Sequence, residues 1–471
     1  KKAIAPERSG ARGVPAPRHT QGAPSQPRSA SDGAWRGAGA YAKLRRPWTK
    51  LEERSLGAPA TVRNDGAFGE EKLLVKRSLQ GPIVSERGGK ALALRVASLD
   101  LPHVVGQYWD MMRATNLQEF EAAVGQLQNP LFTVMYADRD GRIMHLFGGR
   151  TPVRPAGDWK WSAIVPGDTS KTLWTSTHPY ADLPRVVDPP SGWLQNANDP
   201  PWTTTFPAAI DPAKYPAYMA PRGMSFRAQR SARMLDEDDS VTFDELVQYK
   251  HSTRMELADR LLDDLVPLAK SKGGILADAA GVLERWDRSA EADSRGGVLF
   301  DRFWRELLEL GVSGGPFKTK WNERKPRTTP DGLADPLAAM KALQAAALRL
   351  NLERRALDVA WGELFRLRRD GVDLPANGGP GDLGIFRVLN YRKDDDGRYA
   401  AAGGDSYVAV MEFGDSVRAV SLLAPGNATQ PGSPHRADQL RLFSDKRLKP
   451  VWRTRVEIEG NLEMKEQVAR E

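Results

Sequence analysis

Three clusters of turn-forming residues punctuate the stretch from Asn129 to Phe206. They are Ala137-Asp138-Arg139-Asp140-Gly141, Val165-Pro166-Gly167-Asp168-Thr169, and Gln195-Asn196-Ala197-Asn198-Asp199-Pro200-Pro201-Trp202. Gly, Pro, Asn and Asp each impose a turn conformation for its own reason, so this stretch is confined to short strands and tight loops. Apolar runs at 131–137 and 143–148 flank the first cluster and predict a β-hairpin across Asp138–Gly141. The third cluster is harder to explain as a simple reversal. Two carboxamides stand beside a double proline that fixes where they point, which suits a hydrogen-bond donor preorganised toward developing negative charge. Asn198 equally fits an Asx-turn that caps its own loop, and the spacing leaves both readings open.

The same periodic reading extends along the chain. Short strands are expected at 73–75, 82–84 and 91–96 around a Gln80-Gly81-Pro82 turn, then a helix over 101–113. Thr115 with Gln118 predicts a capping box for a second helix that ends before Pro130, and Thr242 with Glu245 predicts another. From there helical territory runs through Leu246, Met255, Leu257, Leu261, Leu262 and Leu265, with a break at Pro267. Further helices are expected at 275–286, 297–310, 336–350 and 357–368. The last third returns to strands, with a hairpin at 407–413 and 417–423. Strands, then helices, then strands argue for an α+β fold.

Residues 1–65 are rich in Pro, Gly, Ala, Arg and Ser, without an apolar period, and are expected to be disordered. Residues 66–471 form the folded unit in this division. Much of the net charge of +8 sits in that first segment. Because no basic stripe interleaved with aromatics follows it, nucleic acid is not expected as a partner. The absence of cysteine excludes disulfides, thiolate zinc sites and a thiol nucleophile. No apolar run is long enough to span a membrane. The six histidines never fall at i, i+3 or i+4 spacing, no Gly-x-Ser-x-Gly elbow is present, and no phosphate loop is complete. Asp138 and Asp140 could ligate calcium from one turn or simply cap the hairpin. Arg227, in Ser225-Phe226-Arg227, could orient a nearby polar site or lie on the surface.

Taken in order, NPLFTVMYADRDGRI, VPGDTSKTLW, PSGWLQNANDPPW, VLFDRFWREL, GGDSYVAVMEFG and QPGSPHRADQLRLFSDK resemble the penicillin acylase family of N-terminal nucleophile hydrolases. The resemblance covers roughly residues 70–470 and is strongest to the branch with acyl-homoserine lactone and aculeacin acylases. It corresponds to the later part of the large β chain. It implies a four-layer αββα sandwich with a helical insertion, the N-terminal part of the fold being missing here.

The resemblance also implies an amidohydrolase in which a precursor cleaves itself to expose an N-terminal serine. That serine attacks N-acyl amides such as an acyl-homoserine lactone, a β-lactam or a lipopeptide side chain. The family's oxyanion asparagine falls on Asn198 and its supporting arginine on Arg227. Acyl-pocket positions fall on Tyr108, Trp109 and Phe132. No cofactor is required; a structural calcium is compatible with the family, but no metal ligand carries over. The implied partners are the small-molecule substrate, plus the α chain and missing β-chain start from the same precursor. Export to the periplasm or beyond is the family expectation. Nothing in residues 1–70 matches the Ser-Asn pair that opens the family's β chain, and Ser9, Ser29 and Ser31 receive no catalytic role. The nucleophile is therefore expected to be absent from this chain, which leaves a non-catalytic acylase-like scaffold or binding protein as the alternative.

Overall fold

The computed structural model describes residues 76–99, 101, 103–130, 132–462 and 464–466 in full. Before residue 76 it describes only the backbone of Lys2–Ala3, Gly39–Lys43, Glu52–Ser55, Ala60–Asn64, Ala67–Glu71 and the start of Leu74–Ser78. Most of the segment expected to be disordered lies outside the described residues.

Leu74–Ser78, Gly81–Arg87 and Lys90–Leu94 make consecutive antiparallel strands, the first two longer than the expected runs and the third one residue shorter. Gly81 turns the chain at φ 124°, and a Cβ there would lie 2.1 Å from the Leu94 carbonyl oxygen, so only glycine fits. Helix α1 (Val104–Arg113) and helix α2 (Leu117–Val124) follow. The predicted box at Thr115 and Gln118 is displaced by one residue. Asn116 is the N-cap and accepts from the Glu119 amide, while the Glu119 carboxylate takes both the amide and the hydroxyl of Thr115. A carboxylate is the stronger acceptor, and its charge favours the helix N-terminus.

The hairpin expected around Asp138–Gly141 is present as Val134–Ala137 paired with Ile143–Leu146, and Arg185–Val187 adds a third strand. All four residues of Ile143–Leu146 are buried, so this strand is covered on both faces. Met144 and Leu146 pack with Leu117, Val124 and Leu183 on the side of α1 and α2. Ile143 packs on the opposite side, with Val186, Leu194 and Trp202.

After the long connection come helix α3 (Phe226–Asp236), helix α4 (Phe243–Lys250) and helix α5 (Ala258–Lys270). The Thr242–Glu245 capping box forms in full. Pro267 does not break the helix as expected; it sits inside α5. Pro267 and Asp263, the residue whose carbonyl loses its usual partner, are both exposed, so water can satisfy that carbonyl. Helix α6 (Gly274–Arg285), helix α7 (Gly297–Glu309) and helix α8 (Pro336–Leu352) complete a helical core. It is filled by Leu261, Leu265, Leu283, Phe300, Phe303, Leu343 and Leu350.

The helix expected at 357–368 is only one turn, α9 (Trp361–Leu364), before the chain becomes the strand Phe365–Arg369. Alternate burial of Phe365 and Leu367 shows the period of two that the helical reading missed. That strand pairs antiparallel with Val372–Pro375 and parallel with Tyr399–Gly404. The final hairpin, Tyr407–Glu412 with Arg418–Leu423, forms as expected. The whole is a mixed α+β structure. Among the described residues no helix is long and apolar enough to cross a membrane.

Candidate functional site

The third turn cluster emerges from the buried strand Trp193–Leu194 and is held by its own side chains. Asp199 is the hub. Its carboxylate accepts from the Ala197 amide at 2.7 Å, from Gln195 Nε2 at 2.8 Å, and from the Thr203 hydroxyl. Gln195 Nε2 also donates to the Thr203 carbonyl, and the Thr204 hydroxyl donates to the Gln195 carbonyl. Burial pushes the Asp199 carboxyl up from its ordinary range, while the Thr203, Ala197 and Gln195 donors pull it back. Pro201 and Trp202 are buried behind the loop, and Trp202 Nε1 donates to the Pro221 carbonyl at 2.9 Å.

This network decides which asparagine is structural. Asn196 makes the Asx-turn, its Oδ1 accepting from the Asn198 amide at 3.1 Å. Asn198 itself stands at φ 62°, a left-handed conformation that asparagine tolerates better than most residues, and its side chain is exposed. Its Oδ1 accepts from Arg227 Nη2 at 2.5 Å. The same nitrogen donates to the Ala197 carbonyl at 2.6 Å. An oxygen engaged by a guanidinium fixes the amide's orientation, so the NH2 group is presented on the other side. The guanidinium charge beside Oδ1 also polarises the amide and makes its N–H bonds better donors.

Arg227 sits in the first turn of α3, whose N-cap Ser225 accepts from the Ala228 amide. The buried face of α3 (Ala228, Ala232, Met234 and Leu235) shares a cluster with Trp193 and Ala197, which seats the loop against the helix. The sequence offered Arg227 as a residue that could orient the site of Asn198; the structure puts the two in direct contact. It missed Asp199 and Asn196 as the residues that shape the loop. The Asn-x-Asn and Asp-x-x-x-Thr spacings were the available signals.

The other sequence candidates lie elsewhere. Tyr108 is half-buried on α1, its hydroxyl accepting from Asn129 Nδ2 at 2.9 Å. Trp109 and Phe132 are 57 and 48% exposed, and Val105 and Met112 extend an exposed apolar row along α1. Asp138 takes the Arg142 amide and the Tyr136 hydroxyl, as a turn cap does. Among the described residues no cluster of three or more His, Cys, Asp or Glu could hold a metal ion. His145, two residues along the strand from Ile143, is fully buried, and neither ring nitrogen has a hydrogen-bond partner among the described residues. Burial lowers its pKa to about 4.

A family model described as penicillin amidase matches residues 36–460. The acyl-homoserine lactone acylase PvdQ of Pseudomonas putida is 26% identical over 447 residues, covering 86% of this chain and 56% of that protein. The aculeacin-A acylase of Actinoplanes utahensis is 26% identical over 331 residues, covering 63% of this chain and 40% of that one. The chain thus spans about half the length of the curated relatives it matches. A thermostable penicillin G acylase from Alcaligenes faecalis superposes with a TM-score of 0.62 at 17% identity, covering 92% of this chain and 86% of its own. At that identity the match establishes the shared fold.

Proposed function

This chain belongs to the penicillin amidase family, and on that premise we propose that it forms the later β-chain part of an amidohydrolase acting on N-acylated small molecules. The carrying observation is the 2.5 Å hydrogen bond from Arg227 to Asn198 Oδ1, which turns the Asn198 NH2 outward. In this reading a precursor of the length of the relatives supplies the α chain and the N-terminal serine, and no residue of this chain is assigned as nucleophile. The mixed α+β arrangement is compatible with a four-layer αββα sandwich.

The serine hydroxyl attacks the amide carbonyl while its own α-amine, with an ordinary pKa of about 7.7–8.0, accepts the proton. Negative charge gathers on the carbonyl oxygen. Asn198 Nδ2 donates to that oxygen together with a backbone N–H, each donor contributing on the order of 3 kcal/mol. Collapse of the intermediate breaks the C–N bond as the α-ammonium returns its proton to the leaving nitrogen, and water, deprotonated by the freed α-amine, then hydrolyses the acyl-enzyme. Arg227 touches no reacting atom; it holds the amide so that no reorganisation is needed when charge appears.

Tyr108, Trp109 and Phe132 are the proposed walls for the acyl group. The names of the relatives suggest acyl-homoserine lactones or lipopeptides as substrates, and export to the periplasm or medium would suit either. A structural calcium is compatible with this reading, since calcium also takes backbone and side-chain carbonyl oxygens. The decisive experiment is amide turnover by the processed product of the full-length gene with and without Asn198→Ala. A fall in kcat of ~100-fold or more with an intact fold is expected. Unchanged turnover in the variant would remove Asn198 from the mechanism.

A further inference from the structure

The turn Gly381–Leu383 lies against the first turn of α3. A Cβ built on Gly381 would stand 3.4 Å from both Cδ and Nε of Arg227, so this position faces the arginine stem and a larger side chain there would press on it. At the other end of the turn, Gly384 adopts φ 82°, where a Cβ would lie 2.5 Å from Glu256 Cβ and 2.9 Å from Phe226 Cβ. Leu383 between them is fully buried, and its carbonyl accepts from the Leu257 amide at 3.1 Å. The turn therefore packs tightly on α3 at Gly384 and faces the Arg227 stem at Gly381.

Asp382 faces the other way. It binds Arg305 of α7 through both oxygens, at 2.8 and 3.4 Å. Arg305 is steadied in turn by Asp301 one helical turn back, at 3.2 Å. Helix α7 belongs to the main core through Phe300, Phe303, Trp304 and Leu307. The turn that faces the Arg227 stem is thus tied to α7 by a two-pronged ion pair, beside the buried Leu383 and its hydrogen bond from Leu257.

We propose that Asp382 and Arg305 are positioning residues for the oxyanion amide. Through the turn, they hold the Arg227 stem where one guanidinium nitrogen can reach both the Ala197 carbonyl and Asn198 Oδ1. An arginine has several rotamers, and only a blocked retreat keeps it on two acceptors at once. The catalytic part of this inference rests on Asn198 being the oxyanion donor; the geometric part does not.

The test therefore has two readouts. The first is the side-chain NH2 resonance pair of Asn198 in the isotope-labelled full chain, assigned by its loss in Asn198→Ala. Asp382→Asn, which removes the charge, and Gly381→Val, which pushes on the stem without touching the ion pair, are both expected to shift or broaden that pair. Asp382→Glu is expected to leave it near its wild-type position. The second is kcat and KM for an N-acyl amide in the processed enzyme. Asp382→Asn should lower kcat by ~10-fold or more and Asp382→Glu should recover most of it, with KM within about twofold in both, because a displaced catalytic group costs rate more than binding. Should Asp382→Asn fail to fold, Arg305→Lys loosens the same bidentate pair while keeping its charge. An unmoved Asn198 resonance in both Asp382→Asn and Gly381→Val, with native circular dichroism, overturns the proposal. Absence of amide turnover in the wild-type enzyme would sink the functional reading and leave the resonance test to decide the positioning claim.

Discussion

Asp199 determines the form of the site more than the residue proposed to act there. Three donors from its own loop converge on it inside a dry environment. Asp199→Ala would leave the Ala197 amide without an acceptor and would cost Gln195 Nε2 and the Thr203 hydroxyl one bond each, though these keep the Thr203 and Pro200 carbonyls; each buried unpaired group costs about 1–3 kcal/mol. A loss of ~3 kcal/mol or more in urea unfolding is expected, with a smaller loss for Asp199→Asn, which keeps one accepting oxygen. Arg227→Lys tests the neighbouring contact. A lysine offers a point charge rather than a flat fork and is expected to reduce kcat by ~10-fold while leaving KM nearly unchanged. The carboxamides next to rigid prolines marked this loop in the sequence but left Asn198 open between a donor and an Asx-turn, and the structure gives the Asx-turn to Asn196. Asp199 was not, since a buried carboxylate and a surface turn aspartate look alike until their donors are seen.

Local signals were readable wherever they closed within a few residues. The Thr242–Glu245 box formed as spaced, and Thr242→Ala is expected to cost about 1 kcal/mol in unfolding free energy. Asn116, by contrast, was passed over for Thr115 because both types cap well and only the reach of the Glu119 carboxylate separates them. The stretch after Leu357 was misread because Leu357, Trp361 and Leu364 keep helical spacing up to the point where the strand begins. Turns that fit by close approach leave still less trace. Gly384 looks like any loop glycine, yet a side chain there meets Glu256 and Phe226 at impossible distances. Gly384→Ala combines that clash with left-handed strain and is expected to destabilise by ~2 kcal/mol or more, measured as a lowered urea midpoint.

The molecule as a whole carries an acid-sensitive interior. His145 and His251 are buried, and desolvation lowers their pKa values to about 4 and about 3, with the Arg387 charge adding to the effect on His251. Unfolded histidine titrates near 6.5. The unfolded chain therefore takes up these protons first, and stability that is complete above about pH 6.5 is lost as pH falls toward 4. For His145 the full difference is on the order of 3 kcal/mol. Buried Asp199 and Glu256, whose carboxyls are raised, act in the opposite sense. The drop in unfolding midpoint between pH 7 and pH 5 is expected to shrink in His145→Phe; an unchanged drop would exclude His145 as a source. The α+β alternation was visible in the sequence at this scale, whereas the burial of these histidines was not, because a lone imidazole carries no sign of its depth. The separation of cores has a practical consequence. The loop around Asn198 is seated on the Trp193 and α3 cluster, while Tyr108 and Trp109 belong to α1, which packs in a different cluster, and Phe132 lies just before the strand Val134–Ala137. If those three aromatics line the acyl site as proposed, laboratory evolution confined to them would retune which chain the enzyme prefers without first having to rebuild how fast it reacts.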